Sequence, residues 1–254
     1  MEDNNSLTDE NITSDKKIKK IILKKIFLSL FLIIAFISVL ISSIIYASSK
    51  EDLPNFLKKS LETNEKIAQI YYSKNKLAPT FDKSLAEDIK PNGDIGMNED
   101  FDIKNWKLNF INENNNESKI FSIEQIKSLP SFEMTTEFKC VEGWSKIVNW
   151  KGVKFSDFLD KNHINFDSDY VYLETPDKEY YVSIDKNSAM HPQTILAYEM
   201  NGKPLTLEHG APLRLVTSLK YGIKQIKRIG TIKLMKNKPK DYWAEKGYDW
   251  YAGH

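Results

Sequence analysis

Residues 26–47 are an uncharged run of 22 residues, and this run restricts the possible folds of the 254-residue chain more than any other feature. As a helix it rises about 33 Å, enough to cross a hydrocarbon layer of roughly 30 Å. A bilayer core offers no water to exposed peptide groups, so such a segment enters it as a helix. Lys16, Lys17, Lys19, Lys20, Lys24 and Lys25 precede the run, and Glu51 and Asp52 follow it. That asymmetry predicts a single-pass protein of the cell membrane, N-terminus inside and the remainder outside. A cleaved signal peptide is the competing reading, because small residues follow at Ala47, Ser48 and Ser49. Its apolar region would ordinarily hold only about 7 to 15 residues, so a retained anchor is expected.

The chain divides into a cytoplasmic basic tail at 1–25, the anchor at 26–47, a helical spacer at 48–90 and one domain at 91–254. Residues 1–15 are polar, lack apolar periodicity and are expected to stay unordered. Over 53–73, Leu57, Leu61, Ala68 and Tyr72 recur near helical spacing, with Ser49 and Asp52 as a weak capping pair ahead of them. A tight loop opens around Pro91-Asn92-Gly93. Beyond it, 106–110 alternates as a strand, 169–173 and 179–184 are short runs rich in Tyr, Val and Ile, and 194–200, 213–217 and 229–234 are further apolar runs that read as strands. Residues 122–128 and 154–161 read as helices, the second with Phe155, Phe158 and Leu159 inward, and 148–153 suggests a hairpin. Several short strands with few, irregular helices predict an α+β fold.

Charge excludes one class of partner. With 36 basic and 35 acidic residues the net charge is +1, too little to recruit nucleic acid. Nearly all the cations are lysine; Arg214 and Arg228 are the only arginines. A planar, permanently charged fork suits phosphate and carboxylate, so these two positions stand out. Cys140 is the single cysteine, which rules out an intramolecular disulfide and any motif needing two thiols. Lys139 and Lys146 nearby would favour its thiolate, although a lone cysteine is often inert core filling.

Several motifs, taken in order, carry a resemblance. They are the stretch around Cys140, then Leu196-Ala197-Tyr198-Glu199-Met200-Asn201-Gly202-Lys203-Pro204-Leu205, then Glu208-His209-Gly210-Ala211-Pro212-Leu213-Arg214, then Lys220-Tyr221-Gly222-Ile223-Lys224. Together they resemble the molybdopterin-binding domain of the sulfite oxidase family, and the closing Gly247-Tyr248-Asp249-Trp250-Tyr251-Ala252-Gly253 is similar to its bacterial members. The resemblance covers residues 91–254 and implies the family's mixed sheets and short helices.

It also implies a molybdenum–molybdopterin cofactor whose metal takes one protein thiolate, and so gives Cys140 the part of metal ligand and catalytic residue. His209 and Arg214 match the loop that grips the cofactor, with the arginine fork on its phosphate. Gln225, Ile226 and Lys227 match a segment that wraps it, with Lys224 as a neighbour. Thr175 and Asn92 match further contacts. His191 stands where sulfite oxidases place a catalytic tyrosine; it reads equally as a proton relay or as a turn residue before Pro192.

Two departures shape the expected activity. The arginine cluster that holds anionic sulfite cannot be built from Arg228 alone, so sulfoxide-type reduction is expected over sulfite oxidation. No arginine occurs in 1–213, so the twin-arginine export signal of bacterial relatives is missing. The expected protein is a membrane-anchored extracytoplasmic oxidoreductase that moves an oxygen atom to or from a small-molecule or protein-bound acceptor. A separate electron-transfer partner in the membrane would serve it. A monomer is expected, because the chain stops where those enzymes continue into a dimerisation domain. The alternative is a non-catalytic extracytoplasmic binding module that keeps the fold without metal.

Overall fold

The computed structural model describes residues 3–48, 55–73, 75–98 and 100–254, in two compact units, Met1–Pro54 and Asn55–His254. The described residues of the first unit form one helix, α1 (Asp3–Ser48). Its segment Lys20–Tyr46 is long and apolar enough to cross a membrane, and its Leu, Ile and Phe side chains are exposed. Leaving such area in water costs about 25 cal/mol per Å², so this unit fits a membrane anchor. The polar stretch expected to lack order is instead helical from Asp3. Residues 3–48 contain neither Gly nor Pro, and extending a nucleated helix adds one hydrogen bond per residue fixed.

The second unit opens with α2 (Asn55–Tyr71); the suggested capping pair Ser49 and Asp52 lies outside the described residues. Leu61, Ala68 and Tyr72 are half-buried and Glu65 is buried, whereas Leu57 is exposed. Glu65 accepts from Lys238 at 2.5 Å and the Tyr72 hydroxyl donates to the Asn187 carbonyl at 2.7 Å. The chain then runs along a sheet edge, where Phe81 N–H donates to Thr135 and Glu87 N–H to Ile147.

Among the described residues ten strands follow in two sheets. β1 (Leu108–Asn112), β2 (Glu117–Phe121), β5 (Tyr170–Glu174), β6 (Tyr181–Asp185) and β10 (Thr231–Met235) form one, in the order β2-β1-β10-β5-β6. Only β1 and β10 run parallel within it. β3 (Phe132–Lys139), β4 (Ser145–Lys154), β7 (Thr194–Met200) and β8 (Lys203–Pro204) form the other, with β9 (Arg214–Thr217) also paired to β7. Short helices fill the joints: α3 (Ile123–Lys127), α4 (Phe155–Lys161), α5 (Lys186–Ala189) and α6 (Tyr242–Glu245). Ser122 and Gln125 close a reciprocal capping box on α3, and α4 buries Phe155, Phe158 and Leu159 as expected. The α+β expectation holds.

Residues 148–153 do not form a hairpin; they lie within the single strand β4. The hairpin is β3–β4, in register from Phe132↔Gly152 to Lys139↔Ser145, and its connection holds Cys140. The strand signal at 148–153 was sound, but the reversal sits at Gly143, whose φ of +88° L-residues with a Cβ avoid. Where β4 meets β7 the register shifts between Lys151 and Gly152. A Cβ on Gly152 would stand 2.2 Å from the Leu196 carbonyl oxygen, so only hydrogen fits there. Phe110, Phe158, Leu173 and Ile232 centre one apolar core, and Met134, Phe138, Val148, Trp150 and Val216 a second, with Cys140 at its edge.

Candidate functional site

Cys140 follows directly on β3, in a connection closed by two backbone hydrogen bonds. Cys140 N–H donates to Trp144 at 2.9 Å and Gly143 N–H to Cys140 at 3.1 Å. The thiol is 8% exposed, and the side-chain amide of Asn92, from the loop at 91–93, donates to its sulfur at 3.7 Å. The same connection carries Glu142, which accepts from Trp144 Nε1 at 3.1 Å. Hydrogen bonds from Asn92 and then Trp144 hold the Glu142 carboxyl below its usual range.

A second wall comes from the loop that feeds β9. His209 donates through Nε2 to the Ile89 carbonyl at 3.0 Å and accepts through Nδ1 from Thr206 at 2.8 Å, so both ring nitrogens are engaged. Gly210 has φ +94°, and a Cβ there would lie 2.7 Å from the Cβ of Lys227. This glycine lets two cofactor-matched segments touch. Arg214, at the start of β9, is 3% exposed and lies 4.8 Å from the Trp150 ring centre. Its Nη1 donates to the His209 carbonyl and its Nη2 to the Gln225 carbonyl, each at 3.2 Å. Burial brings this guanidinium down to about 9, which leaves it charged at neutral pH.

The third wall is the segment 222–227. Gly222 abuts the Phe138 ring, and Gln225 donates through Nε2 to the carbonyls of Thr217 and Lys220. Lys227 reaches across to the carbonyls of Gly93 at 2.7 Å and Glu208 at 3.1 Å. Burial, followed by repulsion from Arg214 and Arg228, lowers the Lys227 ammonium to about 8. Lys224 points away, into an ion pair with Asp241 at 2.5 Å.

These walls enclose a cavity of about 360 Å³ lined by Asn92, Cys140, His209, Arg214, Gln225 and Lys227. Three of the expected site residues lie elsewhere. Ile226 points into the first core. Thr175 closes a turn, donating to Asp177 at 2.5 Å and accepting from Tyr180 N–H at 3.2 Å. His191 is 1% exposed, accepts from Gln193 N–H at 3.2 Å and meets the Tyr72 ring edge-on. Arg228 is also structural: its fork holds the Asn98 and Leu207 carbonyls beside the Phe101 ring.

Sequence reasoning missed other parts of the lining, among them Glu142 and an aromatic face of Phe138, Trp144, Tyr180, Trp243 and Tyr248. Glu142 stands two residues from the cysteine, a signal that could have been read. Tyr248 lies in the closing motif that resembles bacterial members of the family, whereas Trp243 carried no signal; both arrive from beyond β10 and pack on each other, ring centres 5.1 Å apart.

Residues 95–243 match the family described as the oxidoreductase molybdopterin binding domain. The chain belongs to that family. It bears out the resemblance read from the motifs and makes the second unit a molybdopterin oxidoreductase domain. Among similar proteins is YedZ1 of Azospira oryzae, provisionally named a protein-methionine-sulfoxide reductase subunit, 32% identical over 72% of this chain and 70% of its own length. The catalytic subunit MsrP of the protein-methionine-sulfoxide reductase of Campylobacter jejuni is 34% identical over 62% of this chain and 59% of its own. The sulfane dehydrogenase SoxCD of Paracoccus pantotrophus shares 19% identity at a TM-score of 0.49, over 54% of this chain and 40% of that one.

The molybdopterin domain's cavity is chemically suited to such a cofactor. Arg214 Nε and Gln225 Oε1 are buried and lack partners, and both residues line it. Three cations, Lys90, Arg214 and Lys227, line the cavity without an ion-pair partner among the described residues, beside the carboxylates Asp94 and Glu142, and an anionic phosphate would find partners among these cations. Among the described residues no three His, Cys, Asp or Glu side chains gather to hold a metal. A metal at Cys140 would therefore take its other ligands from the cofactor. The volume falls in the range of small-molecule sites, roughly 300–1,000 Å³.

Proposed function

We propose that this chain is a membrane-anchored, extracytoplasmic reductase of sulfoxides, methionine sulfoxide foremost, working through a molybdenum–molybdopterin cofactor. Cys140 would give the metal its protein thiolate, tuned by the Asn92 amide. Arg214 and Lys227 would hold the phosphate end, with Gln225 and the carbonyl-bound His209 shaping the bed between. When bound, the cofactor supplies a metal that takes an oxygen atom and passes electrons. Reducing a sulfoxide consumes two electrons and two protons and releases a thioether and water.

The observation that carries the reading is the character of the open wall. Phe138, Trp144, Tyr180, Trp243 and Tyr248 present aromatic surface, which favours the apolar substituents and the sulfur of a sulfoxide. Glu142 beside Cys140 is ionised and repels an anion such as sulfite. Lys139 and Lys146, possible substitutes for an arginine cluster, are engaged with Glu137 and Glu87 instead. The names of the relatives speak of methionine sulfoxide and of subunits, which supports a separate membrane partner as electron source. The anchor would keep the domain near that partner.

The test is the molybdenum and pterin content of the protein from its native membranes, with turnover of methionine sulfoxide under an artificial electron donor. Near one metal per chain, depleted in Cys140→Ala, together with sulfoxide turnover, supports the reading. Loaded protein that oxidises sulfite and leaves sulfoxides untouched refutes it.

A further inference from the structure

Helix α2 carries one packed face and one exposed apolar face. The stripe at 61, 65, 68 and 72 faces the domain, held by the Glu65–Lys238 pair and the Tyr72 hydroxyl. Ile67, Ile70 and Tyr71, spaced i, i+3 and i+4 on another face, are 47%, 78% and 77% exposed. Leu77, just past the helix, is 54% exposed. The packed stripe accounts for none of these side chains.

We infer that this second face of α2 lies on the surface of the lipid bilayer. Only residues 47–54 separate the end of the candidate span at Tyr46 from the start of α2 at Asn55. A link of that length reaches at most about 30 Å, which is short enough to permit lipid contact by α2. Lys59 and Lys66, both exposed, stand at helical spacing beside Ile70, and cations flanking an apolar face suit anionic headgroups. Tyr71 has the amphipathic ring that settles at the membrane–water boundary. A second copy of the chain fits less well, since a stable pair buries about 800 Å² per partner and four side chains do not cover it. With α2 fixed to the domain through its other stripe, lipid contact would set how the domain stands over the membrane.

The test uses the full chain in nanodiscs of phosphatidylcholine with phosphatidylglycerol. The photo-crosslinker benzoylphenylalanine replaces Ile70 in one sample and Glu62, exposed on a different side of the same helix, in the other. Several-fold more lipid adduct at 70 than at 62 is expected. With the probe moved to 71, Ile70→Glu should cut the lipid adduct several-fold. Equal adducts at 62 and 70 would overturn the inference, as would adducts at 70 to a second copy. In native membranes, adducts to another polypeptide in place of lipid would do the same.

Discussion

The Asn92 side-chain amide donates to the sulfur of Cys140 at 3.7 Å, although 48 residues separate them. A donor on a metal-binding sulfur draws electron density from it and raises the potential of the metal it holds. Asn92→Ala is therefore expected to keep its molybdenum, shift the metal's potential negative and slow sulfoxide turnover about tenfold. A redox titration followed by electron paramagnetic resonance reads the first effect and steady-state kinetics the second. An unchanged potential would count against the bond.

Arg214 offers a buried fork that carbonyls satisfy only in part. Replacing it by Gln should remove about 1.5–3 kcal/mol of cofactor binding, more than a tenfold loss in pterin retained through dialysis. Arg214→Lys should recover only part of this, because the ammonium lacks the paired geometry.

Lys227 gives the site a pH dependence. Burial and the neighbouring Arg214 and Arg228 lower its ammonium to about 8, below the ordinary lysine value of about 10.4. The protonated form is the one that attracts phosphate, so affinity for free molybdopterin is full below pH 8 and declines as pH rises through it. Lys227→Gln should bind weakly at every pH, and Lys227→Arg should flatten the profile. Titration of apoprotein with the cofactor between pH 6 and about 10 measures it.

The Lys224–Asp241 pair is almost fully buried at 2.5 Å, and Asp241 also caps α6, which carries Trp243. Lys224→Met leaves a buried carboxylate without its cation and should cost about 3–5 kcal/mol, seen as a lowered denaturation midpoint.

Trp243 should act on substrate binding alone. Trp243→Ala is expected to raise the KM for methionine sulfoxide about tenfold with little change in kcat, since removing aromatic contact of this kind costs roughly 0.5–1.5 kcal/mol beyond the area lost. A fall in kcat with KM unchanged would place Trp243 at the reacting atoms instead.

Much of the architecture was legible because the signals are local. Alternating Tyr, Val and Ile mark β5, β6 and β7 wherever they end up in the sheet, and the Phe155, Phe158 and Leu159 spacing marks α4. The Cys140 reversal was not legible as a hairpin turn, because the polar β3 sequence Glu133-Met134-Thr135-Thr136-Glu137 alternates poorly and its strand character comes from pairing with β4. Asn92, His209, Arg214 and Lys227 were found by motif and do meet in one cavity. Thr175 matches by motif too, yet its side chain is engaged in a turn, and His191, read equally as a proton relay or a turn residue, packs against Tyr72.

By itself the sequence determined the apolar span, the single thiol and the two arginines, since length, count and charge need no third dimension. Only the tertiary structure decided that Asn92 reaches the sulfur and that an aromatic wall from 138, 144, 180, 243 and 248 surrounds the thiol and Arg214. The reason is that strands far apart in the chain can be neighbours, as β1 and β10 are where Asn109 pairs with Thr231. The loops they carry meet at distances fixed by sheet order and register, and spacing along the chain does not encode those distances.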